Sequence, residues 1–131
     1  MYSMKEASQL TGLTYDTIKF YCNKGLVPNV ERDKNNYRVF DQVTIEWLKS
    51  LSCLKNCGMS IAEMQEYLKL CLQGQASLPE RQKMLALKKD ALLTQLKELE
   101  EAIDYIDSKQ DYYQKVLDGK LTYHSNLIVK N

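Results

Sequence analysis

The stretch Leu13-Thr14-Tyr15-Asp16-Thr17-Ile18-Lys19-Phe20-Tyr21 decides how this chain is read. It lies between the short segment Met4–Thr11 and a stop at Lys24-Gly25-Leu26-Val27-Pro28. Thr14 suits an N-cap, because its hydroxyl can accept from the orphan N–H groups of a first helical turn. Tyr15, Lys19 and Cys22 follow at i, i+4 and i+7 on one side, and Ile18 and Tyr21 lie on another. One side is free to enter a groove while the other packs. The stretch reads as the recognition helix of a helix-turn-helix. The rest of the chain reads as a means of holding two copies of that helix at a fixed distance.

Working outward, Ser3-x-x-Glu6 is a capping box ahead of Ala7 and Leu10. It predicts a short first helix that turns at Gly12. Gly25 sits where a helix C-terminus favours glycine, and Pro28 cannot continue a helix. Residues 29–40 read as a two-stranded hairpin, with Arg32-Asp33-Lys34-Asn35-Asn36 at its tip and alternation in Tyr37-Arg38-Val39-Phe40. A basic hairpin beside a helix-turn-helix is a wing suited to phosphate contact. By itself, the same hairpin is equally a solvated surface loop.

Asp41 caps a helix over roughly 41–57, closed by Gly58, with Val43, Trp47, Leu51 and Leu54 as its apolar stripe. Ser60-x-x-Glu63 is a second capping box, and Ile61, Met64, Leu68 and either Cys71 or Leu72 should point inward. Gln73-Gly74-Gln75-Ala76 breaks that helix. Ser77 is placed as the N-cap of the last helix, with Pro79 in its first turn. No Gly or Pro follows until Gly119, so this helix runs about 40 residues and spans on the order of 60 Å. Leu85, Leu92, Leu99, Ile106 and Tyr113 repeat every seven, with Leu96, Ile103 and Leu117 between them. That is a coiled-coil seam. Nothing in the same chain is long enough to cover it, so a homodimer with antiparallel helices is expected.

The fold class is therefore mainly all-α: a winged helix-turn-helix over 1–73, a dimerisation helix over 77–118 and a tail over 119–131. The tail carries Leu121, Tyr123, Leu127, Ile128 and Val129. It is expected to pack partly on the other subunit.

The 131 residues carry a net charge of only +1. Residues 1–58 hold 8 Lys/Arg against 6 Asp/Glu, and residues 59–131 hold 10 against 11. Bulk charge argues neither for nor against a nucleic-acid partner. There is no run of 18 apolar residues and no charged-then-apolar leader, so the reading is cytoplasmic without a membrane partner. The four cysteines are expected to be thiols.

The order helix-turn-helix, wing, two helices, dimer helix resembles the MerR family of bacterial transcription regulators. Thr17-Ile18-Lys19-Phe20-Tyr21 looks like the family's T-L-R-Y-Y, and Gly25-Leu26-Val27-Pro28 like its G-L-[LI]-x-P. Asn36-Tyr37-Arg38-Val39-Phe40 looks like the wing G-Y-R-x-Y. Cys57-Gly58-Met59-Ser60-Ile61-Ala62-Glu63-Met64 looks like L-G-[FM]-S-[LI]-x-E-I. Lys19 departs from the usual Arg and keeps the charge without the bidentate fork. Asp16 stands where a base is common, Cys22 where Glu is common, and Asn36 replaces the wing glycine.

The resemblance implies a homodimer that binds a pseudo-palindrome in double-stranded promoter DNA. The dimer distorts the DNA, so that RNA polymerase, itself touched only through the promoter, engages both promoter elements. It implies DNA contacts from Thr14, Tyr15, Thr17, Lys19 and Tyr21 on the recognition helix and from Tyr37 and Arg38 on the wing. Lys5, Lys24, Arg32 and Lys34 would be peripheral charges.

Residues 74–131 contain no Cys and one His, which does not furnish the two to four soft ligands of a thiolate metal site. No metal and no cofactor is expected. Cys53 falls off the proposed apolar stripe, with Lys49 one turn back. A nearby cation favours a reactive thiolate, and the helix C-terminus opposes it. Ser52-Cys53-Leu54-Lys55-Asn56-Cys57-Gly58-Met59-Ser60 also resembles the aldehyde- and electrophile-responsive branch of the family, whose key cysteine stands at the Cys53 position. The alternative is that Cys53 is a small packed residue. Cys57 and Cys71 are expected to be packed.

No nucleophile-base pair, paired acids or phosphate loop points to an enzyme, so no catalytic residue is named. Two rival functions stand beside the thiol sensor. One is a regulator with a non-covalent ligand site at the dimer interface, between the 60–72 helix and the partner's dimer helix, lined by Tyr67, Tyr112, Tyr113 and Tyr123. The other is a coiled-coil adaptor that does not bind DNA.

Overall fold

A computed structural model describes residues 1–125 and 127, and these fall into two compact units, Met1–Asp90 and Ala91–Asn131. In the first unit, β1 (Tyr2–Ser3) leads into α1 (Met4–Thr11) and α2 (Tyr15–Asn23). Then come β2 (Glu31–Arg32), β3 (Arg38–Phe40), α3 (Gln42–Asn56) and α4 (Ile61–Leu72). A 3-10 turn, Gly74–Ser77, runs into α5 (Leu78–Leu117), whose later turns belong to the second unit.

The helix starts follow the capping residues. Ser3 and Ser60 each close a complete capping box, with Glu6 and Glu63 as the reciprocal partners. Thr14 accepts from the Thr17 N–H and Asp41 from the Thr44 N–H. Gly12 takes φ +73° at the end of α1, and its N–H donates to the Ser8 carbonyl at 3.0 Å. That left-handed conformation is what lets α2 leave at the angle of a helix-turn-helix.

The sheet has three strands, not two. β1 and β2 both pair antiparallel with β3, in the order β1-β3-β2, with Tyr2 opposite Phe40 and Arg32 opposite Arg38. β1 is two residues long and abuts a capping box, so it has no alternation to read. At the wing tip the Asp33 carboxylate accepts from the N–H of Asn35 at 2.9 Å and of Tyr37 at 3.0 Å. Asn36 adopts φ +66°. This explains why asparagine can stand at the wing glycine position, because it tolerates the left-handed region better than most side chains.

The core gathers Ala7, Ile18, Tyr21, Leu26, Phe40, Ile45, Leu48, Leu51 and Met64, all nearly or fully excluded from solvent. The expected stripe on α3 is corrected here. Val43 is 77% exposed, and the inward residues are Thr44, Ile45, Leu48, Leu51 and Leu54. Trp47 is half-buried because its indole N–H donates to the Leu26 carbonyl at 2.7 Å, closing the end of α2. On α4, Leu72 is exposed and Leu70 buried, while Cys71 is half-buried.

Ser77 is not a simple N-cap. Its hydroxyl donates to the Leu70 and Gly74 carbonyls and accepts from Arg81 Nε at 3.0 Å. The 3-10 turn runs straight into α5, so no separate cap is needed. Ser77 at the end of that turn and Arg81, Met84 and Lys88 on α5 then share a face at helical spacing. Lys88 reaches Glu63 at 2.7 Å and Arg81 reaches Cys71 at 3.9 Å, so the first turns of α5 run back along α4.

In the second unit α5 continues to Leu117, and Gly119 turns the chain at φ +76°. The returning chain meets α5 where the His124 N–H donates to the Tyr112 hydroxyl at 2.8 Å. α5 has no buried residue. Leu99 is 62% and Ile106 56% exposed in the single chain. Of the apolar tail, Leu121, Tyr123 and Leu127 are exposed, and Ile128 and Val129 lie outside the described residues.

Candidate nucleic-acid interface

α2 is amphipathic in the sense a groove-reading helix needs. Ile18 and Tyr21 face the core and Cys22 is half-buried against it. The outer face carries Tyr15, Asp16, Lys19, Phe20 and Asn23. Tyr21 is therefore corrected from a contact residue to a core residue: at 2% exposure its ring cannot enter a groove. Burial also pushes the Tyr21 hydroxyl and the Cys22 thiol up from their ordinary pKa values, Cys22 despite Arg38 and Arg32 nearby.

Phe20 was missed by the pattern reading. It is 44% exposed, with the Lys24 ammonium 5.6 Å from its ring centre. Thr14 and Thr17 join hydroxyls at 2.8 Å as part of the cap, and Lys19 projects outward.

The wing stands against this helix. One cleft of about 280 Å³ is lined by Tyr15 of α2, Tyr37 and Arg38 of the wing, and Lys5 and Arg32. Arg38 Nη2 donates to Asn23 Oδ1 at 3.1 Å, bracing β3 to the end of α2. Arg32 Nη1 donates to the Asn36 carbonyl at 2.8 Å, which holds the tip. The arrangement puts cationic side chains and two tyrosine hydroxyls at the rim of an exposed helix face. That is the chemistry that holds a phosphate backbone while a helix reads base edges.

Residues 2–71 match the family described as MerR HTH family regulatory protein, and residues 45–109 match the model described as MerR, DNA binding. The chain belongs to the MerR family. An uncharacterized HTH-type transcriptional regulator of Haemophilus influenzae is 32% identical over 114 residues, which cover 87% of this chain and 84% of that protein. The regulator AdhR of Bacillus subtilis is 32% identical over 91 residues, 70% of this chain and 65% of AdhR. The crystal structure of HiNmlR, a MerR family regulator lacking the sensor domain, was solved bound to promoter DNA. It is 31% identical with a TM-score of 0.74, covering 89% of this chain and 93% of that one.

In this MerR-family chain Cys53 is exposed on α3. It opens on a cavity of about 400 Å³ whose walls include Trp47, Leu54, Tyr67, Cys71 and Leu85. Lys49 and Glu46 stand at the rim and pair with each other at 3.4 Å. Cys71, expected to be packed core, lines the same cavity. Burial pushes the Tyr67 hydroxyl up from its ordinary pKa. The four tyrosines of the alternative ligand site divide between the units: Tyr67 is in the first and Tyr112, Tyr113 and Tyr123 in the second. No helix of the described residues is long and apolar enough to cross a membrane.

Proposed function

We propose that this MerR-family regulator works in the cytoplasm as a homodimer on promoter DNA and answers small carbonyl electrophiles through Cys53. The domains divide at 1–73, 77–118 and 119–131. The observation that carries the DNA reading is the cleft where Tyr15 of α2 meets Tyr37 and Arg38 of the wing. Thr14, Thr17 and Lys19 act from α2. Two such surfaces, set apart by the paired α5 helices, grip a pseudo-palindrome and bend the duplex between them. Bending lets the protein act at base pairs it never touches. The α5 stripe supports the dimer, since an exposed apolar row this regular belongs to a coiled-coil partner.

Support for sensing comes from Cys53 itself: an exposed thiol at the mouth of a mainly apolar cavity, in a chain similar to AdhR. The test is transcription in vitro from DNA the protein selects, with and without formaldehyde or methylglyoxal, for wild type and Cys53→Ala. Induction should vanish in the variant while DNA affinity is kept. Equal induction in both would remove Cys53 from the mechanism.

A further inference from the structure

Cys71, in the wall of the Cys53 cavity, meets Arg81 behind it. Arg81 Nη1 donates to Cys71 Sγ at 3.9 Å. The rest of the guanidinium is fixed, with Nε on Ser77 Oγ at 3.0 Å and Nη2 on the Gly74 carbonyl. Tyr67, one turn earlier on α4, lines the same cavity. Both Cys71 and Arg81 are half-buried, and the cavity gives the sulfur a path to small molecules.

A thiol and a guanidino group held side by side form a two-point trap for adjacent carbonyl carbons. We propose that Cys71 and Arg81 are a modification site for a small 1,2-dicarbonyl of the α-oxoaldehyde class, which stitches the end of α4 to the first turn of α5. The inference rests on the carbonyl-sensing reading above and adds a second site to the cavity that reading uses.

The chemistry needs no oxidant or reductant. The thiol sulfur adds to the aldehyde carbon, and its proton passes to the oxygen, giving a hemithioacetal. The guanidinium gives its extra proton to solvent, and two of its nitrogens bond to the two carbonyl carbons. Both oxygens leave as water. The four hydrogens that leave with them are the thiol hydrogen, two from the guanidino nitrogens and the former aldehyde C–H. With methylglyoxal the product is a methylimidazole carrying the sulfur. Holding the reactants together makes the second capture effectively intramolecular, which raises its rate by orders of magnitude over a free arginine. Linkage changes the fastening of the α4–α5 junction, because Arg81 must loosen its hold on Gly74 and Ser77.

The full-length protein is incubated with methylglyoxal and digested with trypsin. Cys71 and Arg81 lie in one stretch between Lys69 and Lys83. The expected product is a peptide of residues 70–83, uncut after Arg81 and heavier by one methylglyoxal less two waters. Cutting after Glu80 should leave its halves joined. Cys71→Ser should lack it, and wild type unfolded in urea should lose most of it. Cys53→Ala should keep it, so a Cys53 reading that fails in transcription does not decide the matter. The same mass in Cys71→Ser, or Arg81 carrying methylglyoxal less one water beside a free Cys71 thiol, would overturn the proposal.

Discussion

Lys19 is the one cation that α2 projects from the middle of its outer face, while Lys24 lies over Phe20 and Arg38 reaches from the wing, braced by Asn23. A phosphate contact contributes to affinity through counterion release, without sequence preference. Lys19→Ala should weaken DNA binding across sequences and reduce the salt slope of log K by about 1, measured by fluorescence anisotropy over a salt series. An unchanged slope would move Lys19 off the interface. Glu63 offers a different kind of test. Its carboxyl is held below the usual carboxylate range by the hydrogen bond from Lys88 first and the Ser60 N–H second. A depressed carboxylate stabilises the fold above its unfolded pKa, and that contribution is lost as pH falls through the folded value. The capping acids Glu6 and Asp41 are depressed in the same direction. Helix content followed during acid titration should therefore begin to fall as pH drops through the ordinary carboxylate range. Glu63→Gln should be less stable at neutral pH and less acid-sensitive; a variant with the wild-type acid profile would show that the Lys88 tie contributes nothing.

The elements were legible wherever a local rule governs them. Ser3, Thr14, Asp41 and Ser60 each cap the helix they were expected to cap, because capping is settled within four residues of chain. The stripe on α3 was not legible. Val43, Trp47, Leu51 and Leu54 fit a helical period, and so do Thr44, Ile45, Leu48 and Leu51. The choice between these faces is made by what packs on α3, chiefly α1 and then α4, while Trp47 turns its N–H to the Leu26 carbonyl just beyond α2. Trp47→Phe keeps an aromatic ring but loses the pyrrole N–H, leaves that carbonyl without its partner, and should cost about 1–3 kcal/mol in a denaturant titration. A cost near zero would mean water replaces the indole. Tyr21 was misplaced for a different reason: helical spacing already put it beside Ile18 on the packing side, and the motif resemblance, which carries no burial information, put it among the DNA contacts. The α4–α5 junction was missed because Cys71 meets Arg81 from another helix, ten residues away, and no spacing rule relates the two.

At the scale of the molecule, the first unit has a core and α5 has none of its own. The heptad stripe was plain in the sequence, since Leu85 to Tyr113 recur every seven residues. A double substitution, Leu99→Glu with Ile106→Glu, should place like charges in the seam and give a monomer by sedimentation. The circular dichroism of the first unit should be retained. A dimer of wild-type stability would put the interface elsewhere. The same substitution should abolish tight DNA binding, because one recognition helix alone grips one half-site. The most direct measurement of paired recognition helices on DNA is the sequence of duplexes that the wild-type protein enriches from a random double-stranded pool. Two inverted half-sites at one fixed spacing are predicted. A single undivided half-site, or no enrichment over the starting pool, would contradict it.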